Sequence, residues 1–261
     1  VAHIAGGDAS EGSFDESIRH AITKMSHLHF VTNERAARRV CQMGENPDYV
    51  HHVGSTSLDY IRHLDFLDRN TVFDKIGMTP REKNILVTFH PTTLDPVSSL
   101  TQGTELLTAL DGLGTDVGLI VTGPNADTEG RALTEAMAAF ADLRENAVFR
   151  ESLGQTLYVN ALKQVDAVVG NSSSGLYEAP SFGIATVNIG DRQKGRVRAT
   201  SVYDCPPLSK DIAATLQQAL DGDHKGTVNP YGDGTAAPRI LAALRAIDAP
   251  QSLIQKSFFD A

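Results

Sequence analysis

The chain has 261 residues, 41% hydrophobic and 21% charged, with a net charge of −9 and a pI of about 5.4. Such a chain is long enough for two α/β domains, and its acidity excludes a broad electrostatic footprint for nucleic acid. No run approaches a membrane span, the pattern of a signal peptide is absent, and the two cysteines, Cys41 and Cys205, lack metal or disulfide spacing, so a cytoplasmic protein with reduced thiols is expected.

The first residues, Val-Ala-His-Ile-Ala-Gly-Gly, read as a strand running into a glycine turn, so an upstream segment is expected. Helical spacing of Ile18, Ala21, Ile22 and Met25 predicts a helix over 15–27, with Asp15 and Glu16 in its first turn. A strand over 28–32, a charged helix over 34–43, a strand over 49–53 and a helix over 57–67 follow. The pattern weakens over 68–81, and a domain junction is placed at 69–83, between a first domain of 1–68 and a second of 84–248. The second half alternates more regularly. Strands are expected at 84–89, 117–122, 147–150, 167–170 and 185–189, and helices at 96–110, 128–143, 155–164 and 175–182. Helices at 212–220 and 239–247 close the domain, and a tail at 249–261 packs back on the first. Short continuous apolar strands alternating with helices indicate parallel sheets covered on both faces.

In such sheets ligands bind beyond the carboxyl ends of the strands. Three polar clusters follow strands there: Phe89-His90-Pro91-Thr92-Thr93, Gly123-Pro124-Asn125-Ala126-Asp127, and Asn171-Ser172-Ser173-Ser174. The serine run before a helix reads as a phosphate site, with Glu178 one turn on, placed for a ribose diol; an ordinary N-cap with an exposed glutamate is the plain alternative. His90 is equally consistent with a structural strand-end histidine and with a proton donor. Arg192, Lys194, Arg196 and Arg198 supply cations near the same edge. Glu16, Arg19 and His20 share one helix face, where a surface ion pair is the stronger reading of spacing alone. His27, His29, His51 and His52 have no carboxylate or cysteine at metal-binding spacing and are assigned to structure or solvent. Gly6-Gly7 is not a complete dinucleotide fingerprint, and no Walker lysine loop occurs.

Taken together, His-Ile-Ala-Gly-Gly-Asp-Ala-Ser-Glu-Gly, Asp-Glu-Ser-Ile-Arg-His-Ala-Ile-Thr-Lys, Ile-Leu-Val-Thr-Phe-His-Pro, Pro-Asn-Ala-Asp, Gly-Asn-Ser-Ser-Ser-Gly-x-x-Glu and Ile-Gly-Asp-Arg-Gln-x-Gly-Arg resemble the hydrolysing UDP-N-acetylglucosamine 2-epimerases of nonulosonic acid synthesis. The resemblance spans the chain. It implies a GT-B-like α/β fold of two Rossmann-like domains, with roughly the first hundred residues, including a Gly-x-Arg motif and a catalytic Asp, lying upstream of Val1. It implies a UDP-sugar substrate, no metal or other cofactor, no nucleic-acid or membrane partner, and a homodimer or homotetramer.

Residue by residue, the resemblance implies Ser172 and Ser173 at the phosphates and Glu178 at the ribose, and Ser174 and Asn125 are further candidates for binding the UDP sugar. It puts His90 beside the diphosphate, Arg192 and Arg196 at the rim, and Asp15, Glu16 and Arg19 on a helix facing the sugar. The implied reaction removes the C2 proton, expels UDP from C1 and hydrates the resulting 2-acetamidoglucal. The base is Asp15 or Glu16. A non-hydrolysing epimerase, another GT-B glycosyltransferase and a non-catalytic UDP-sugar-binding protein are the competing readings. The last is motivated by Ala5, which stands where the family carries Glu or His, and by the expected upstream segment; Asp8 also stands where Glu is usual.

Overall fold

The computed structural model describes residues 1–11, 15–92, 95–125 and 129–260. The chain forms two compact units, one of residues 1–64, 194–197 and 229–261, the other of residues 65–193 and 198–228.

The first unit begins with β1 (Ala2–Ile4), α1 (Asp15–Met25), β2 (Leu28–Val31), α2 (Glu34–Gln42), β3 (Val50–His52) and α3 (Thr56–His63). The strands form a parallel sheet in the order β1-β2-β3, pairing His3 with His29 and His29 with Val50. α2 starts where Asn33 turns its side-chain oxygen to the Ala36 amide (2.9 Å), satisfying one of the free N–H groups of the first turn. Its buried face, Ala36 and Val40, packs on Val31 of β2.

The second unit holds α4 (Arg69–Ile76), β4 (Lys83–Thr88), α5 (Ser99–Asp111), β5 (Val117–Thr122), α6 (Gly130–Asp142), β6 (Ala147–Arg150), α7 (Gly154–Leu162), β7 (Ala167–Gly170), α8 (Ser174–Tyr177), β8 (Ala185–Ile189), β9 (Val202–Cys205) and α9 (Ser209–Asp221). Its six parallel strands run in the order β6-β5-β4-β7-β8-β9, the order of a dinucleotide-fold sheet, which reverses direction between β4 and β7. Alternate residues serve opposite faces: Ile85 and Val87 join the core under α5, α6 and α9, while Leu86 enters the core with Val72, Phe73 and Ile76 of α4. The chain then re-enters the first unit with α10 (Ala236–Arg245), whose Ala236 and Ile240 cover Leu28, Phe30 and Val53.

The α/β class and its parallel sheets match the expectation; the partition of the chain differs in two places and the extent of one helix in a third. Residues 65–83 belong to the second unit, because α4 supplies apolar side chains to its core. Residues 229–248, expected with the second domain, pack with the first, as does the tail, whose Lys256 reaches Glu45 at 2.6 Å. The helix expected over 175–182 is one α-turn, Ser174–Tyr177, followed by a 3₁₀ turn over Ala179–Phe182. Pro180 has no N–H to continue the α-helical ladder.

Candidate functional site

The reversal of strand order between β4 and β7 places the ends of these two strands side by side, and the polar residues of the sequence converge there. β7 ends at Gly170, whose φ is +136° and whose added Cβ would lie 2.0 Å from the Thr88 carbonyl oxygen. Only glycine permits that approach. It brings the Asn171 amide to the Thr88 oxygen (3.2 Å) and sets the Asn171 side chain against the next turn of backbone. The Asn171 carboxamide accepts from the His90 N–H (2.6 Å) and donates to the His90 carbonyl (2.8 Å). Its own carbonyl accepts from Arg192 (3.2 Å) and Gln193 (2.7 Å), which follow β8. One buried asparagine thus ties three strand ends together. Sequence reasoning placed it in the third polar cluster but assigned it no role of its own.

His90 is 9% exposed. Its Nδ1 accepts the Asn125 amide (3.0 Å), so the proton of the neutral ring sits on Nε2. Burial, and secondarily the Arg192 guanidinium, push its pKa down to about 4. At neutral pH His90 is therefore an uncharged hydrogen-bond donor held in one tautomer. The expected strand-end clusters meet here through His90, Asn125, Asn171 and Arg192; Thr93, Ala126 and Asp127 lie outside the described residues.

Two expectations change. The serine run does not open a long helix: α8 is a single turn, and the amides of Ser174 and Gly175 are taken by the Ser172 Oγ (3.4 Å) and carbonyl (3.3 Å). A macrodipole sums over aligned peptides, and four residues contribute little. The helix dipole therefore lends little to the turn that carries Ser172, Ser173 and Ser174. Arg192 and Arg196, expected together, belong to different units. Arg196 directs Nε toward the Ala9 carbonyl of its own unit (3.4 Å), and Arg198 pairs with Asp204 at 2.5 Å.

The first unit carries the other predicted cluster. α1 presents Asp15, Glu16 and Arg19 to the loop after β1. Arg19 donates to the Asp8 carbonyl and the Ser10 hydroxyl, both at 3.0 Å, and pairs with Asp15. Glu16 accepts the Ser10 amide at 2.6 Å and lies 3.6 Å from His20. The Asp15 side chain remains 45% exposed, whereas the Arg19 side chain that orients it is 16% exposed. Behind the loop, the buried Asp8 carboxylate accepts from Thr32 (2.6 Å) and Asn33 (3.3 Å). Asp8 is therefore consumed by structure. Ala5 adopts φ +62°, a left-handed conformation that L-residues rarely take.

Among the described residues no group of three His, Cys, Asp or Glu side chains is arranged to hold a metal ion. His29 hydrogen-bonds Glu45 (2.9 Å) and His51 stacks on Phe30 with centroids 5.5 Å apart, structural roles in keeping with the sequence reading. Among the described residues no helix is long and apolar enough to cross a membrane.

A family model described as UDP-N-acetylglucosamine 2-epimerase matches residues 1–245. A GDP/UDP-N,N'-diacetylbacillosamine 2-epimerase (hydrolyzing) of Campylobacter jejuni is 37% identical over 205 residues, covering 78% of this chain and 53% of that protein. A UDP-N,N'-diacetylbacillosamine 2-epimerase (hydrolyzing) of Legionella pneumophila is 32% identical over 256 residues, covering 98% of this chain and 67% of that protein. The chain thus spans about half of the first relative's length and two thirds of the second's. Among solved structures, S. aureus MnaA with UDP superposes with a TM-score of 0.76 at 19% identity, covering 100% of this chain and 70% of that one. The Neisseria meningitidis UDP-GlcNAc 2-epimerase bound to UDP-GlcNAc gives 0.75 at 17%, covering 94% and 69%. At these identities the likeness shows the fold alone, which is the GT-B-like α/β fold implied by the motifs.

Proposed function

Because the chain belongs to the UDP-N-acetylglucosamine 2-epimerase family, we propose that it acts in the hydrolysing 2-epimerisation of a UDP-2-acetamido sugar, releasing the free 2-epimer and UDP. The observation that carries this reading is the convergence of His90, Asn125, Asn171, Ser172 and Arg192 at the strand reversal of the six-stranded sheet, where a nucleotide diphosphate binds in this fold class.

The chemistry divides between charge at the leaving group and a base at C2. As the C1–O bond breaks, negative charge grows on the diphosphate. The Arg192 guanidinium, the Nε2–H of neutral His90 and the hydroxyls of Ser172, Ser173 and Ser174 stabilise it by prearranged hydrogen bonds. The depressed pKa narrows the role of His90: it donates a hydrogen bond to the departing UDP rather than delivering a full proton from an imidazolium. Glu178 accepts from the ribose hydroxyls, and Asn125, whose side chain is exposed, lies beside the phosphates.

For the base we assign Asp15. It is the more exposed of the two candidate carboxylates and is oriented by Arg19 and Ser10, whereas Glu16 holds a backbone amide of the loop. Once C2 loses its proton and C1 loses UDP, water adds across the double bond of the 2-acetamidoglucal, with hydroxyl to C1 and a proton to the opposite face of C2. Arg196 serves as a further cation for the substrate. A cytoplasmic homodimer or homotetramer is part of the same proposal and is tested by fractionation and light scattering.

The substrate is UDP-N-acetylglucosamine or its diacetamido-trideoxy relative. Two relatives at 37% and 32% identity carry the second compound in their names, while the family model carries the first. Incubating the protein with each UDP sugar in heavy water, with products read by NMR, decides among the readings. Free 2-epimer with deuterium at C2 plus UDP is expected. A UDP-linked epimer or a glycoside would replace this reading with a non-hydrolysing epimerase or a glycosyltransferase. The methyl side chain of Ala5, which moves no proton, favours one alternative of another class, a UDP-sugar-binding protein. Binding without C2 exchange would establish it.

A further inference from the structure

The ladder between β4 and β7 ends at the pair Thr88–Gly170, and a side chain carries it one step further. Gly170, at φ +136°, turns the chain after that pair, and the Asn171 N–H still reaches the Thr88 carbonyl (3.2 Å). Two residues beyond Thr88, His90 takes its bonds from the Asn171 side chain instead. The carboxamide oxygen accepts the His90 N–H (2.6 Å), and the carboxamide nitrogen donates to the His90 carbonyl (2.8 Å). A carboxamide has the donor and the acceptor of a peptide group, so it holds the His90 backbone as the next residue of a strand would. Among side chains of that length, ionised aspartate lacks the donor and leucine lacks both.

With its main chain the same residue holds the segment after β8. Its carbonyl oxygen accepts from the Arg192 Nη1 (3.2 Å) and the Gln193 Nε2 (2.7 Å), which fills both lone pairs. Asn171 is 0% exposed and so touches no ligand; its effect on one passes through the groups that it ties down. Those groups are His90 and Arg192, the two that the reading above sets at the departing diphosphate. The His90 ring is fixed at a second point by the Asn125 N–H on its Nδ1 (3.0 Å), which leaves Nε2 as the donor. Without the carboxamide, the N–H and carbonyl of the buried His90 would lose their partners, and the backbone would shift to satisfy them. That shift draws the ring off the Asn125 amide, frees its tautomer and alters its spacing from Arg192.

We propose that Asn171 is a positioning residue for the leaving group, aligning the His90 ring and the Arg192 guanidinium on one diphosphate. The proposal rests on the nucleotide reading above, and its test keeps the two apart. Affinities for UDP and for uridine are measured on the wild-type chain, on Asn171→Ala and on Asn171→Ser, which keeps a small polar group should the alanine variant not fold. Nitrogen NMR of the histidine rings, assigned with His90→Gln, follows the tautomer. UDP affinity should fall about tenfold to thirtyfold in Asn171→Ala and less in Asn171→Ser, with uridine affinity within about twofold of wild type. The wild-type His90 ring should show an unprotonated Nδ1 and a protonated Nε2, and the variants an average of both tautomers. In a chain that already carries His90→Gln and Arg192→Ala, adding Asn171→Ala should weaken UDP no further. Unchanged UDP affinity in a folded variant overturns the positioning role, and so does a further loss in the triple variant. Equal losses for UDP and uridine, or failure of both variants to fold, make Asn171 a purely structural residue. A wild type that binds UDP with its His90 ring already averaged removes this inference alone. A wild type that binds no UDP removes the nucleotide reading, and this inference with it.

Discussion

Two carboxylates of the first unit grip cations, and they do so to opposite ends. Glu45 is 2% exposed; its oxygens meet Lys24 (2.6 Å), Lys256 (2.6 Å) and His29 (2.9 Å). Lys256 in turn donates to the carbonyls of Lys24 (2.8 Å) and Ser26 (2.6 Å), so the tail is locked to the loop between α1 and β2. Asp15 has Arg19 and Ser10 for partners but leaves nearly half its side chain open. A carboxylate whose partners close around it builds the fold, whereas one that is oriented and still reachable can meet a substrate. Ion-pair spacing in the sequence did not separate them, because the partners of Glu45 lie 16 to 211 residues away along the chain.

The largest test of this contrast is Asp15→Asn. The amide keeps the shape and loses the basic lone pair, so kcat for epimerisation should fall by about 10³-fold, a general-base effect. Urea unfolding should move by less than about 1 kcal/mol, as for other partly exposed pairs. A kcat within tenfold of wild type would transfer the base to Glu16 or elsewhere.

Glu45→Gln should do the reverse. It leaves two lysines facing a neutral amide and should cost roughly 2–4 kcal/mol in urea unfolding, with turnover per folded molecule preserved. The pH dependence carries a definite sign. Burial raises the Glu45 carboxyl, but hydrogen bonds from Lys24 and Lys256, with the charges of Lys256 and His29, leave it below its ordinary value. Its contribution is therefore present above about pH 4.5 and lost as pH falls through the lower folded value, and the variant should lack that part of the acid transition.

His90 sharpens the contrast from the other unit. Folded, it stays neutral down to about pH 4; unfolded, it takes a proton near 6.5. The unfolded state binds more protons in that interval, so acidification destabilises the native state. The fall from 6.5 to about 4 corresponds to ~3 kcal/mol when complete. His90→Gln should flatten this part of the stability profile between pH 6.5 and 4, as read by chemical denaturation at several pH values. Unaltered acid sensitivity would mean that His90 is not the neutral, buried donor described above.

Much of this was legible in the sequence, for physical reasons that differ by element. The strands Val117–Thr122, Ala167–Gly170 and Ala185–Ile189 stand where their apolar runs put them, since interior strands of a parallel sheet are buried on both faces; Ala147–Arg150, at one edge, was still marked by its run Ala-Val-Phe. β9 was missed because an edge strand needs no such run: only Cys205 in it is buried. α4 was missed because its core contacts, Val72, Phe73 and Ile76, are diluted by Arg69, Asn70, Asp74 and Lys75. His90, Asn125, Arg192 and the serines were readable as polar residues after apolar strands. Asn171 stood in the same cluster, but its role was hidden, for its side chain works through bonds to the backbone 81 residues away.

The smallest expected effect concerns Ala5, where the chain departs from the motif it otherwise follows. At φ +62° a Cβ crowds the backbone, and a glycine would not. Ala5→Gly removes that strain but enlarges the freedom of the unfolded chain, and the two terms oppose. The strain is of order 1–2 kcal/mol and the entropy of order 0.5–1, so the variant should be more stable by about 0.5–1 kcal/mol. Equilibrium unfolding in urea resolves such a difference as a shift of midpoint at constant slope. A destabilised Ala5→Gly would mean that the methyl makes packing contacts worth more than its strain. An equal midpoint would mean that the turn relaxes around it. Because the Ala5 N–H donates to the Phe30 carbonyl at 2.8 Å, the substitution leaves the sheet bond in place and isolates the conformational term.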